Sequence, residues 1–213
     1  LGVAVWNKDR GDLSTAAARF EETLRKSIAI NGDDAFFTTL CRLFLAQTYN
    51  EMGAFDRALV ISSRAMENSE VLSQSLSVTL HMQHAIALLA SGQNNEALTL
   101  VEELVSLRDA DGMQSGPRTV SIFTDFAKFY RRASRPERAK AYAERAYQSG
   151  QQGLPAGNWH AALATAEYAY ALAALGRTAE AKTYAVDAHT DLAATFGPED
   201  YRVVPLKALI DRN

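Results

Sequence analysis

Apolar residues recur along this chain at spacings of three and four, in stretches of 12 to 20 residues separated by short polar breaks. That period belongs to helices with one buried face, and no stretch shows the strict alternation of a half-buried strand. The breaks are themselves periodic. Gly11, Gly53, Gly92, Ser134 and Gly176 sit in five of them, separated by 42, 39, 42 and 42 residues. Seven residues before these anchors stand Ala4, Ala46, Ala85, Ala127 and Ala169; five residues after them stand Ala16, Ala58, Ala97, Ala139 and Ala181. Alanine supplies 37 of 213 residues, so ten coincidences have a chance probability on the order of 10⁻⁸ before allowing for the choice of offsets. The chain is an internal repeat.

The offsets have a mechanical meaning. Four residues before the anchors lie Asn7, Tyr49, Leu88, Tyr130 and Leu172, one helical turn from the repeated alanine and on its face. After the anchors, Ala58, Ser62 and Ala65, or Ala139, Ala143 and Ala146, continue at four and three. Each unit therefore predicts two helices joined by a turn whose glycine takes a left-handed conformation. Small residues where the helices cross let the axes approach closely and fix the hairpin angle. The expected hairpins span 1–30, 34–68, 72–108, 117–149 and 158–195, with a last helix over 200–211, together one all-α, right-handed solenoid of about five helix-turn-helix repeats.

Ala46, Tyr49, Gly53, Phe55 and Ala58 carry the fullest form of the pattern: small residue, aromatic, Gly, aromatic, Ala. In this the chain resembles the tetratricopeptide repeat (TPR), whose usual period is 34 residues. The period of 42 is similar to the variety found in kinesin light chains and in bacterial multidomain signalling proteins. The segments 154–160 and 196–200 resemble that variety's Gly-Pro-acidic connectors, whereas its paired asparagines in the first helix are absent. The resemblance implies that first helices line a concave wall, and that the module binds proteins or peptides. Residues ten, six and three before each anchor are expected to face that groove. On this basis Gln47, Asn50, Met82, Ile86, Lys128, Arg131, Arg132 and Tyr170 are candidate contacts, with the cations receiving an acidic segment of a partner or of another domain of the same parent protein. The alternative is a sensor domain in which a peptide or small ligand alters the stack.

Composition narrows the classes. With 22 Lys+Arg against 25 Asp+Glu, 47% apolar residues and one cysteine, disorder and a disulfide scaffold are excluded. A net charge of -3 gives no general attraction to nucleic acid or anionic lipid, and the longest apolar run, 85–90, is too short to span a membrane. No Walker loop, dinucleotide fingerprint, nucleophile elbow or zincin pair occurs, so no catalytic residue and no cofactor are expected. Cys41 reads as a small buried hydrophobe. His81 and His84 are spaced to share a metal but have no third ligand nearby, so both read as packing residues. The charge feature that stands out is Lys128, Arg131, Arg132, Arg135, Arg138 and Lys140, opposed only by Glu137. The chain opens on Leu1, and its terminal repeats are short, so it reads as a module of a longer protein. Its location is not legible, with the cytoplasm slightly favoured.

Overall fold

The structure, a computed structural model, describes residues 1–110 and 116–211, with side chains for 1–107 and 116–211. Its helices are α1 (Gly2–Asp9), α2 (Leu13–Asn31), α3 (Phe36–Glu51), α4 (Phe55–Met66), α5 (Gln74–Ala90), α6 (Asn94–Ala110), α7 (Pro117–Arg132), α8 (Pro136–Gly153), α9 (Trp159–Ala174), α10 (Thr178–Phe196) and α11 (Val204–Ile210). One 3-10 turn spans Ser69–Val71, and no strand occurs among the described residues. The chain divides into two compact units, Leu1–Leu107 and Arg108–Asn213. The first holds the hairpins α1–α2, α3–α4 and α5–α6; the second holds α7–α8, α9–α10 and the closing helix α11.

All five hairpins turn by the same device. The backbone N–H one residue past each anchor donates to the carbonyl four residues before it: Asp12 to Asn7, Ala54 to Tyr49, Gln93 to Leu88, Arg135 to Tyr130 and Arg177 to Leu172, at 2.8–3.0 Å. The anchor's own N–H donates to the carbonyl three residues before it. These paired bonds satisfy carbonyls that a helix end otherwise leaves open, and they require a left-handed residue between them. Gly53 supplies it at φ +74°; in the fourth hairpin a serine does so, Ser134 at φ +55°.

Within the first unit, Ala16, Ala17, Phe20, Leu24, Cys41, Leu45, Tyr49 and Ala58 form one apolar cluster, and the Phe20 and Phe44 rings stack at 5.9 Å. The α2–α3 connection is fastened by polar bonds. Ser27 and Thr38 share a hydroxyl bond of 2.7 Å, and buried Arg42 donates to the Asp33 carbonyl at 2.7 Å and to its carboxylate. In the second unit, Tyr142 of α8 stacks on Tyr130 of α7 at 5.6 Å, and Tyr147 of α8 stacks on Tyr168 of α9 at 5.6 Å. There α8 and α9 approach so closely that a Cβ on Gly150 would lie 3.2 Å from Ala161. Ala162, Ala166, Ala169, Ala185, Ala188 and Leu192 join Leu206 and Leu209 of α11 in a second core.

Within each unit, residues eight before an anchor face the second helix of the preceding hairpin. Tyr168 does so against Tyr147, and His84 does so by a 2.9 Å bond between its Nδ1 and the Ser62 hydroxyl of α4. Histidine thus stands where the other repeats place Leu45, Phe126 and Tyr168. Burial lowers its pKa from 6.5, with the Glu96 carboxylate of α6 opposing and His81 of α5 reinforcing the effect.

Three expectations follow from this packing. Ala58 and Ala139 have no exposed surface, so Ala58→Leu or Ala139→Leu destabilises by about 1–3 kcal/mol through overpacking; chemical denaturation showing neutrality at both would remove the alanines from the helix crossings. Ser134→Gly relieves a left-handed cost of roughly 1–2 kcal/mol and adds unfolded-state entropy, for a net gain of about 0.5–1 kcal/mol. A loss of stability on the same measurement would contradict the strain. Because the folded pKa of His84 is depressed, the unfolded chain binds more protons below ~6.5, so stability is full above that pH and falls as pH drops towards the folded value. Denaturation midpoints at pH 7.5 and 5.5 should therefore differ more for the native chain than for His84→Gln, and equal differences would rule the effect out.

Candidate functional site

The helix α7 is mostly buried: Val120, Ile122, Phe123, Phe126, Ala127, Phe129 and Tyr130 all face the core. What remains is a narrow stripe, Ser121, Asp125, Lys128 and Arg132, at spacings of four, three and four. On the neighbouring first helix, α9, the corresponding stripe is His160, Leu163, Glu167, Tyr170 and Ala174. Polar links join α7 and α9 across this seam. The Ser121 hydroxyl and His160 Nδ1 lie 3.0 Å apart. Above them the Arg131 guanidinium grips Glu167 with two nitrogens, Nε to Oε2 at 3.0 Å and Nη2 to Oε1 at 3.2 Å, and it lies over the Tyr170 ring at 5.1 Å.

The electrostatics of this cluster are those of a fixed pair beside a spare cation. Burial works against the charge on Arg131, the Glu167 carboxylate more than offsets it, and the guanidinium pKa is raised. Burial, followed by the charge on Glu167, pushes the Tyr170 hydroxyl well above its ordinary range. That hydroxyl stays protonated, and it makes no hydrogen bond with any described residue. Lys128, half-buried in the same register on α7, forms no ion pair and no hydrogen bond with any described residue. The arrangement presents an ammonium, a phenol and the third nitrogen of Arg131 without protein acceptors.

The first unit holds the same strut in neutral chemistry. Asn50 of α3 donates through Nδ2 to the Gln83 carbonyl at 2.8 Å and to its Oε1 at 3.0 Å. Asn50 and Arg131 are both three residues before their anchors; Gln83 and Glu167 are both nine before the next. Position three before the anchor is therefore a seam between successive first helices. Gln47, in the register of Lys128 and Tyr170, is half-buried with its amide unengaged.

These placements correct part of the expected groove. Met82 and Ile86 were expected as exposed apolar contacts, and they are 1% and 5% exposed. The positions ten before the anchors are buried in all four complete first helices, at Leu43, Met82, Thr124 and Ala166. The open stripe keeps the position six before the anchor but takes nine and two in place of ten and three, a rotation of roughly 60° from the expected one. Asn50 is 4% exposed and committed to Gln83. Lys128, Arg131 and Tyr170 come together, while Arg132 lies exposed at the C-terminal end of α7. Glu167, Gln83, Ser121 and His160 were not anticipated. The signal that could have found the first two is the polar residue recurring nine before the anchor, as Gln83, Asp125 and Glu167. Cys41 is fully buried, and His81 Nδ1 bonds the Ser77 carbonyl at 2.6 Å.

No protein-family model matches the sequence, and no curated protein matches it. Solved structures do. A putative kinesin light chain from Podosopora anserina with nearly identical TPR-like repeats superposes with a TM-score of 0.61 at 19% identity, covering 91% of this chain and 93% of that one. A Rap protein, solved in complex with competence and sporulation factor, superposes at 0.74 with 11% identity, covering 95% of this chain and 55% of that one. The fold is accordingly an all-α solenoid of TPR-like repeats.

The fixed pair makes an asymmetric prediction. Glu167 is 5% exposed, whereas about a third of the Arg131 side chain meets solvent. Arg131→Ala strands a buried carboxylate and should destabilise by about 3–5 kcal/mol. Glu167→Gln keeps a hydrogen-bonding group and should cost about 1–2 kcal/mol. Equal losses in urea denaturation would mean that the pair is solvated.

Proposed function

We propose that the chain is a protein-interaction module, and that the α7–α9 face of its second unit receives an acidic segment of a protein or peptide. The observation that carries this reading is Lys128. A half-buried lysine with no carboxylate partner among the described residues has lost part of its hydration without the usual compensation. An incoming carboxylate would restore the balance, and the Tyr170 hydroxyl and the third Arg131 nitrogen would offer it further hydrogen bonds. Arg132 lies exposed at the end of the same stripe. Gln47, the register equivalent of Lys128 in the first unit, would contribute a neutral contact there. Met82, Ile86 and Asn50 serve packing and have no part in the proposed contact.

Two further facts support it. The hairpin α7–α8 concentrates the cations of a chain whose net charge is -3, which gives local attraction without a general affinity for polyanions. A protein of the same fold has been solved in complex with competence and sporulation factor, which supports ligand binding as a use of this architecture. No helix among the described residues is long and apolar enough to cross a membrane.

The test is a charge reversal read by binding. A hexapeptide carrying three glutamates is titrated into the native chain, Lys128→Glu and Arg135→Glu. Loss of at least tenfold, about 1.4 kcal/mol, is expected at Lys128 and less than threefold at Arg135, which lies at the exposed turn. Equal losses would indicate diffuse attraction, and no binding to the native chain would overturn the reading.

A further inference from the structure

The tyrosines of this chain fall into two sets. Five of the eight carry an arginine guanidinium over the ring at 4.3–5.4 Å, as Tyr49 does under Arg57 and Tyr130 under Arg138. The other three, Tyr147 of α8, Tyr168 of α9 and Tyr184 of α10, meet one another at centroid distances of 4.8–5.6 Å, and no described cation lies over their rings. Tyr147 and Tyr184 are half-buried, and none of the three hydroxyls bonds to a described residue. On α9, Tyr168 is two residues, roughly 200° round the helix, from Tyr170, so the cluster lies on another side of the second unit from the α7–α9 seam. Packing does not call for phenols here. The same three registers in the first unit hold Leu24, Leu45 and Ile61, which join its apolar cluster.

The charges around the cluster leave an acidic excess. The two cations that act on Tyr168, Lys140 and Arg177, are already paired, with Glu144 at 2.8 Å and Glu180 at 2.6 Å. Asp187 is not paired. Its carboxylate lies close enough to Tyr147 to help raise the pKa of that phenol, after burial and Tyr184. Asp187 and Asp191 stand one helical turn apart on α10, both exposed, and neither meets a cation among the described residues. Like charges at that spacing repel, and a cation beside Tyr147 and Tyr184 would relieve the repulsion while meeting electron-rich rings.

We infer that Tyr147, Tyr184 and Asp187 form a second interaction site, which receives an arginine side chain of a partner protein. A planar guanidinium stacks on aromatic rings, is weakly hydrated and can donate two bonds to one carboxylate, a combination that a lysine ammonium does not offer. The chain already contains the completed arrangement. Arg57 lies over the Tyr49 ring while its Nη2 donates to the Glu21 carboxylate at 2.7 Å. Tyr184 and Asp187 present the ring and the carboxylate, one turn apart on α10, without the arginine. This site lies apart from Lys128 and prefers the opposite charge.

The experiment uses three capped pentapeptides, acetyl-Ala-Ala-X-Ala-Ala-amide with X as arginine, lysine or citrulline. Each is titrated at pH 7.5 into the full chain while the tyrosine ring resonances are followed by NMR. The arginine peptide should shift Tyr147 and Tyr184 and leave Tyr49, whose ring Arg57 already covers, unmoved. The lysine peptide should bind at least threefold more weakly, and citrulline, which keeps the shape without the charge, should shift neither ring. Asp187→Asn, a change at an exposed position, should weaken the arginine peptide at least threefold. Tyr184→Leu installs the residue that α6 carries in the same register, Leu100, and should weaken it at least fivefold with helicity unchanged by circular dichroism. No shift with arginine, lysine or citrulline binding as well as arginine, or binding indifferent to Asp187→Asn overturns the inference even if the Tyr184 variant fails to fold. Sedimentation of the native chain alone decides the occupant: self-association that Asp187→Asn abolishes would place a second copy on the site and overturn the assignment to a partner.

Discussion

One left-handed residue, placed between two antiparallel helices, phases every side chain in this fold. Because the turn bonds always join the residue after the anchor to the carbonyl four before it, both helices of a hairpin are locked in register to a single backbone position. Distance from that position then decides a residue's fate. Seven before, it lies in the hairpin core; within each unit, eight before, it meets the preceding hairpin, as His84 and Tyr168 do, and three before, it meets the neighbouring first helix, as Asn50 and Arg131 do. The alanines follow from the turn, since helices held by so short a link cross where only a methyl fits.

Seen this way, two kinds of packing share the work. Small residues set the approach within and between hairpins, as at Gly150 against Ala161. Large aromatics fill the wedge-shaped spaces that close approach leaves elsewhere, as where Tyr147, Tyr168 and Tyr184 meet edge and face. Both must be present, because interiors pack at nearly crystalline density and a uniform side-chain size would leave gaps. The histidine at position 84 breaks the pattern of large apolar residues, and its Ser62 partner at the facing small position compensates with a hydrogen bond.

The helices, turns and repeat register were legible in the sequence because they depend on contacts within about ten residues. The groove was legible only in part. A helical wheel places Asn50 and Arg131 on an outer edge, where polar residues usually meet water. Their burial depends on Gln83 and Glu167, 33 and 36 residues away in sequence, and no local pattern reports a partner at that distance. The same limit hid the burial of Met82 and Ile86, since a stripe of spacing four and three looks alike whether it faces solvent or a neighbouring helix. The division at Leu107 and Arg108 left no mark in the 42-residue spacing.

The two struts show how one position can change its chemistry without altering the fold. Asn50 and Gln83 join successive first helices by amide bonds, and Arg131 and Glu167 do the same by a charged fork in the same register. A neutral strut would suffice for packing, and a buried ion pair is seldom more stable than well-packed neutral groups. What the charged version adds is an oriented guanidinium whose charge is already neutralised and one of whose nitrogens is still open. Set beside Lys128 one helical turn away, it leaves donors at the seam that the amide strut of the first unit does not offer. The repeat supplies the geometry, and the departure from its neutral version supplies the charge.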